Sequence, residues 1–343
     1  MVYVMSKPKL FITRQTFEDI IEKLRRYYEV EVWERYQPPS YEVLLEKARE
    51  VDALYTLLTD KIDCNLLKQA KNLRIVAQMA VGYDNIDVAC ATSLGVYVTN
   101  TPGVLTEATA ELTWSLILST ARRIVEADHF VRWGEWERLK TAWHPLMMLG
   151  IELKGKVLGI IGAGRIGSRV AEIGAKGFGM KIIYYDTNRN EWIEKEVGAE
   201  YRDLDQLLQE ADIVTIHVPL TPETYHMINE ERLRKMKKRS LLINTARGPV
   251  VDTEALIKAL KEGWIAGAGL DVFEQEPLPA NHPLTAFKNV VLVPHIGSAT
   301  YETRHAMAEL TAENLIAFYE GRVPPTLVNK DVVNIKLPGF GKQ

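Results

Sequence analysis

Gly162-Ala163-Gly164-Arg165-Ile166-Gly167 lies between an apolar run at 157–161 and a stretch at 166–176 whose apolar residues recur at helical spacing. A short, continuous apolar run reads as a strand buried on both faces, so the glycines occupy a strand-to-helix turn. Gly162 permits the tight turn, Gly164 removes the side chain that would block a pyrophosphate, and Gly167 lets the helix pack closely on the strand. The phosphates would then rest on unpaired backbone N–H groups at the positive end of the helix dipole. A second apolar run, 181–185, stops at Asp186, 19 residues beyond Gly167. A carboxylate there accepts the ribose hydroxyls of an adenosine and repels a 2′-phosphate, which predicts NAD, used as NADH, over NADP. Arg189, in the same loop, leaves NADP open. A glycine string alone fits any βα loop; strand, helix and acidic strand end in register make it a dinucleotide motif.

The motif sits in mid-chain, and the roughly 150 residues before it need a fold of their own. A length of 343 residues has room for two domains, and 47% hydrophobic content fills two cores. Upstream, strands predicted at 9–13, 30–33, 53–58, 74–80 and 96–100 alternate with helical stretches at 17–28, 41–49 and 65–70. Such a βα series implies a parallel sheet with covering helices. Thr101-Pro102-Gly103 ends the series, and a long apolar helix is predicted over 106–127. Beyond the glycine turn, runs at 212–218, 241–244, 267–272 and 290–293 extend the nucleotide domain, and 301–319 is again helical. The economical reading is an α/β chain of two doubly wound parallel-sheet domains. A Rossmann dinucleotide domain, 104–298, is inserted into a discontinuous flavodoxin-like substrate domain, 1–103 and 299–343, with crossovers near 101–104 and 297–301.

A net charge of −3 without a basic stripe gives no reason to expect a nucleic-acid partner. The basic cluster at 232–239 reads as a solvated helix end before a strand. Apolar runs fall short of the ~18 residues that cross a bilayer, and the N-terminus has no secretory apolar region, so a cytoplasmic protein without a membrane partner is expected. Cys64 and Cys90 are the only cysteines. Being distant, they suggest neither a disulfide framework nor a CxxC metal site, which fits a reducing interior; no metal is expected.

Three segments follow buried strands and carry reactive side chains: Asn244-Thr245-Ala246-Arg247-Gly248-Pro249, Asp271-Val272-Phe273-Glu274-Gln275-Glu276-Pro277, and Pro294-His295-Ile296-Gly297-Ser298-Ala299-Thr300. In an open α/β sheet the C-terminal strand ends face the ligand crevice. An arginine fork there can hold a carboxylate bidentately, and a histidine can exchange a proton near neutrality. Separately, Arg247 reads equally as half of a surface ion pair and His295 as a structural histidine. The functional reading rests on a cation, a carboxylate and an imidazole converging at the strand ends of one domain.

Ala80-Val81-Gly82-Tyr83-Asp84-Asn85, the glycine turn, NTARG, LDVFEQEP and PHIGSAT together resemble the D-isomer-specific 2-hydroxyacid dehydrogenases along nearly the whole chain. Within that family the sequence is most similar to the archaeal glyoxylate reductases, notably at Ala142-Trp143-His144-Pro145-Leu146-Met147 and from Gly263 to Asp271. The resemblance implies the split-domain architecture and a small 2-oxo acid substrate. Arg247 would bind the substrate's carboxylate and carbonyl oxygen, and the backbone N–H groups of Val81 and Gly82, in the other domain, would hold the carboxylate. His295 would donate the proton, with Glu276 orienting the imidazole and favouring its protonated form. Cofactor contacts would include Thr109, Gly162, Gly164, Arg165, Ile166, Gly167, Asp186, Thr187, Asn188, Val218, Pro219, Thr245, Ala246, Arg247, Asp271, His295, Ile296 and Gly297. A homodimer is implied through the nucleotide domain and an arm at 105–150. Trp143 would narrow the partner's substrate pocket or simply pack at the interface; Leu57 would border the substrate or serve as a core leucine.

Other activities in reach are a different D-2-hydroxyacid dehydrogenase, such as phosphoglycerate dehydrogenase, and a non-catalytic NAD-sensing corepressor-like protein. The latter would need a peptide groove or extended tails, and no long disordered segment is evident. Adenosylhomocysteine hydrolases are considerably longer. Formate dehydrogenases carry glutamine in place of Glu276, and phosphite dehydrogenases a lysine near Val81.

Overall fold

The computed structural model describes residues 7–341. They form two compact units: one made of the residues up to Leu105 and those from Thr300 onward, the other of Thr106–Ala299.

The first unit runs β1 (Lys9–Ile12), α1 (Glu18–Arg25), β2 (Glu29–Val32), α2 (Tyr41–Glu50), β3 (Ala53–Thr56), α3 (Cys64–Gln69), β4 (Ile75–Gln78), α4 (Val88–Ser93) and β5 (Tyr97–Thr99). Every strand pairing is parallel, in the order β2-β1-β3-β4-β5, the flavodoxin-like arrangement. Residues of β3 and β4 are all buried, as expected for strands covered on both faces; their sequences are apolar except at the strand ends, where the Thr56 hydroxyl donates to Gln78 Oε1 at 2.9 Å.

The second unit runs α5 (Thr106–Ala121), α6 (Ile124–Arg132), α7 (Glu135–Arg138), β6 (Val157–Ile161), α8 (Arg165–Phe178), β7 (Lys181–Tyr185), α9 (Glu191–Val197), β8 (Glu200–Tyr201), α10 (Leu204–Glu210), β9 (Ile213–Ile216), α11 (Glu230–Lys235), β10 (Leu241–Asn244), α12 (Thr253–Glu262), β11 (Gly267–Leu270) and β12 (Val290–Leu292). Its parallel sheet has the order β12-β11-β10-β9-β6-β7-β8, a Rossmann order that reverses direction between β6 and β9. The last helix, α13 (Tyr301–Tyr319), belongs to the first unit, where the Tyr28 hydroxyl donates to the Leu315 carbonyl at 2.6 Å. No helix among the described residues is long and apolar enough to cross a membrane.

Two expectations are corrected. The helix predicted over 106–127 ends at Ala121. In a continuous helix the Ala121 carbonyl would accept from residue 125, but it accepts the Ile151 N–H at 2.8 Å instead. Gly150 passes so close that a Cβ there would lie 2.3 Å from the same oxygen. Arg123 then turns into the left-handed region, φ 56°, and α6 starts in a new direction.

The cysteines are not free: Cys64 and Cys90 form a disulfide. The sequence reading did not anticipate α4, and it is α4 that carries Cys90 alongside the first residue of α3. The inference of a reducing interior therefore loses its support. Cross-linking residues 26 apart removes chain entropy from the unfolded state on the order of 3 kcal/mol.

Candidate active site

The phosphate cradle is built as the glycine spacing requires. Gly162 turns at φ 92°, with the His217 carbonyl 2.8 Å from where its Cβ would stand. A Cβ on Gly167 would lie 2.0 Å from the Gly162 oxygen, so the helix could not approach the turn with any larger residue. Gly164 differs: nothing lies within 4 Å of its Cβ position, and that open space is where a pyrophosphate fits. Gly164 also starts α8 without a side-chain cap, and Arg165 beside it is exposed, so the first N–H groups of the helix are left for an anion.

Asp186 closes the cradle from the end of β7. Its Oδ2 accepts the Ala163 N–H at 2.7 Å and Oδ1 accepts the Thr187 hydroxyl at 3.1 Å, which ties the acidic group to the glycine turn and leaves lone pairs for a ribose. Thr187 and Asn188 are exposed beside it. Arg189 is turned onto Glu194, whose Oε1 takes Nε and Nη2 at 2.9 Å, and lies 5.7 Å over the Tyr201 ring. The cation that left NADP open is thus partnered. The residues present fit a dinucleotide with a free 2′-hydroxyl.

The chemistry-bearing loops follow β10, β11 and β12, which are neighbours in the sheet. After β10, the Asn244 side chain clasps the turn, with Oδ1 accepting the Ala246 N–H at 3.0 Å and Nδ2 donating to the Arg247 carbonyl at 2.9 Å. Gly248 lets this turn touch the next loop: a Cβ there would lie 1.9 Å from the Phe273 carbonyl carbon and 2.5 Å from the Glu274 nitrogen. After β11, Glu276 folds back so that Oε1 accepts the Phe273 N–H at 2.9 Å, while Oε2 stands 2.8 Å from His295 Nδ1. Burial alone would raise the Glu276 carboxyl. Donors from His295 and Phe273, with the nearby Arg247 charge, outweigh it and hold the group below the usual carboxylate range.

His295 sits at φ 54°, a left-handed conformation unusual for a side chain this large. Asp271 holds it there. The Asp271 carbonyl accepts the His295 N–H at 2.9 Å, and its carboxylate accepts Ile296 N–H at 2.6 Å and Gly297 N–H at 2.9 Å. Asp271 is 1% exposed, and burial pushes its carboxyl up to about 6 despite those donors. It was expected as a cofactor contact; it also shapes the loop that presents His295. With Nδ1 engaged by Glu276, Nε2 is the nitrogen left to meet a substrate oxygen.

Thr109, Thr113 and Thr245 complete this side. A Cβ on Gly297 would be 3.5 Å from Thr109 Cγ2, and the hydroxyls of Thr113 and Thr245 are 2.9 Å apart. Val218 and Pro219 follow β9 at the point where the strand order reverses.

In the first unit, Val81 and Gly82 have their carbonyls turned inward. Asn100 Nδ2 donates to Val81 O at 2.8 Å, and Gln78 Nε2 donates to Gly82 O at 3.0 Å. Asn85 pairs with Gln78 and donates to the Leu57 and Asp60 carbonyls at 3.2 and 2.7 Å, so Leu57 belongs to the same network. Trp143 joins none of these groups. Its side chain is 73% exposed in a segment, α6 through 149, that includes no buried residue.

Sequence reading missed Gly248, Asn244, Gln78 and Asn100. Asn244 and Gly248 stood inside a quoted motif from which only Thr245, Ala246 and Arg247 were given roles.

A family model for the "D-isomer specific 2-hydroxyacid dehydrogenase, NAD binding domain" matches residues 114–297, within the seven-stranded unit. The chain belongs to the D-isomer specific 2-hydroxyacid dehydrogenase family. Among this family's curated members, a glyoxylate reductase of Aeropyrum pernix is 68% identical over 98% of this chain and its own full length. A solved structure of a Thermus thermophilus protein is 45% identical with a TM-score of 0.86, covering 93% of this chain and 99% of that one. An NADPH-dependent glyoxylate/hydroxypyruvate reductase of Sinorhizobium meliloti, solved with NADP and malonate, is 33% identical with a TM-score of 0.83, covering 95% and 98%. The chain is thus an NAD-dependent 2-hydroxyacid dehydrogenase built on the two-sheet architecture expected from its sequence.

Proposed function

We propose that this dehydrogenase reduces glyoxylate to glycolate with NADH, and hydroxypyruvate to D-glycerate less efficiently. The observation that carries the reading is the His295–Glu276 pair at 2.8 Å, which joins the loops after β11 and β12 beside the Arg247 turn. Arg247 holds the carboxylate and also faces the carbonyl oxygen, where negative charge grows during reduction. His295 Nε2 delivers a proton to that oxygen as the alkoxide forms, and Glu276 keeps the imidazole oriented and compensates its positive charge. Bound NADH supplies the hydride.

The cofactor preference follows from Asp186 and from Arg189 being held by Glu194. A phosphate dianion near Asp186 costs on the order of 1–4 kcal/mol, so NADH should exceed NADPH by about tenfold or more in kcat/KM. Glyoxylate and hydroxypyruvate differ by one small substituent, worth ~1–3 kcal/mol in a matched pocket. Measuring kcat/KM for glyoxylate, hydroxypyruvate, pyruvate and 3-phosphohydroxypyruvate with both cofactors tests the assignment. Glyoxylate with NADH should rank first; preference for the phosphorylated acid would replace the substrate.

We also propose a homodimer. Ile124, Val131, Trp133, Leu139, Trp143, Leu146 and Leu149 are all more than half exposed in one arm, more apolar surface than a monomer leaves uncovered. Sedimentation should return twice the chain mass, and Trp143→Ala should change the selectivity between glyoxylate and bulkier oxo acids. A monomer, or unchanged selectivity, would remove the respective claim.

A further inference from the structure

Beyond the proton-donor pair lies a second imidazole beside a carboxylate. Glu274, two residues before Glu276, places Oε2 3.2 Å from His226 Nε2, while its Oε1 accepts the N–H of Thr253, the first residue of α12, at 2.8 Å. His226 Nδ1 is 3.9 Å from Asp252 Oδ2, the side chain that caps α12, and the Tyr225 ring stacks on the imidazole at 4.0 Å. The His226 backbone is itself in the left-handed region, φ 48°, with its N–H donating to the Pro249 carbonyl at 2.8 Å.

These contacts join three loops at one point. His226 lies on the segment after β9 that carries Val218 and Pro219; Pro249 and Asp252 lie on the segment after β10 that carries Arg247; Glu274 lies on the segment after β11 that carries Glu276. Gly248 brings the second and third into backbone contact at Phe273–Glu274, and Phe273 supplies the N–H that fixes Glu276 Oε1. Glu274 is held as an anion: burial raises its carboxyl, but the Thr253 and His226 donors outweigh burial and leave it below the usual range. The side chains of His226 and Glu274 are each 30% exposed, so they fill no core space, and a pair so placed contributes little to global stability. What it fixes is the position of the loop.

We propose that His226 and Glu274 are positioning residues for proton transfer: their contact clasps the loop so that Glu276 stands where it can orient His295. The proposal rests on the reductase reading above. Neither residue touches substrate or cofactor in this scheme; both act through Glu276.

The experiment compares His226→Ala, His226→Gln and Glu274→Gln with the parent protein, using glyoxylate and NADH. A clasp that holds Glu276 predicts a kcat about tenfold lower in His226→Ala, because a displacement well under 1 Å suffices for that loss. The NADH dissociation constant should stay within about twofold and KM for glyoxylate within about threefold, since neither cradle is touched. His226→Gln retains an N–H donor of similar reach and should recover most of the lost kcat. Glu274→Gln keeps the shape but loses the charge and should lower kcat in the same direction; it decides the matter if His226→Ala fails to fold. Parental kcat in both His226→Ala and Glu274→Gln, or no recovery in His226→Gln, overturns the proposal. If the parent turns over a different 2-oxo acid instead of glyoxylate, the substrate reading fails, and the variants are compared on that acid.

Discussion

Replacing His295 with asparagine is expected to lower kcat for glyoxylate reduction by about 10²–10⁴-fold, the range that a positioned general acid contributes, while NADH binds within about twofold of the parent value. Asparagine is the informative choice because of the backbone. His295 is held at φ 54°, and asparagine enters the left-handed region more readily than most residues, so the Asp271 hydrogen bonds to residues 295–297 should survive. The loss then reports the missing proton donor and not a collapsed loop. Alanine at the same position would confound the two effects. Steady-state kinetics and NADH fluorescence titration on one preparation make the comparison. If cofactor binding falls in proportion to kcat, His295 is a structural residue and the proposed acid is wrong.

The amount of this site that could be read from sequence depended on how local each cause was. The cradle was legible because Gly162, Gly164, Gly167 and Asp186 act within one βαβ unit, where spacing alone places them. Arg247, Glu276 and His295 were legible as strand-end residues, since a parallel sheet presents all its C-terminal ends on one side. What escaped were features decided by distant partners. The end of α5 is set by an N–H 30 residues downstream, at Ile151, which no helical periodicity anticipates. The disulfide depended on α4, a single short helix whose sequence, VACATS, carries no amphipathic pattern. Asp271 was named for the cofactor, but its hold on the backbone N–H groups of Ile296 and Gly297 was not read, because sequence does not tell which donors a carboxylate takes. Glycine is hardest of all to read: Gly164 and Gly248 look alike in sequence, yet one leaves room for a ligand and the other for the chain itself.

That difference makes Gly248→Ala the second large effect. Gly248 does not have positive φ, so alanine meets no backbone penalty there, and the whole consequence comes from one methyl group. Its carbon would lie 1.9 Å from the Phe273 carbonyl carbon and 2.0 Å from the oxygen. Ordinary contact needs more than 1 Å of additional separation, and because the obstructing atoms are backbone, no rotamer change relieves it. The two loops must part. One carries Arg247, and the other carries Glu276 with the Phe273 N–H that fixes it, so the separation falls between the substrate's anchor and its proton donor. A misplacement of about 1 Å in such a site costs on the order of 10²-fold, and kcat/KM for glyoxylate should fall by at least that factor per folded molecule. Gly177→Ala is the matched control: its Cβ would meet only Ile173 Cγ2, at 3.8 Å, on the exposed side of α8, and it should leave kcat/KM unchanged. Gly248→Ala retaining activity within about threefold, with near-ultraviolet circular dichroism confirming the fold, would mean that the loops tolerate separation and that their close approach does not set the catalytic geometry.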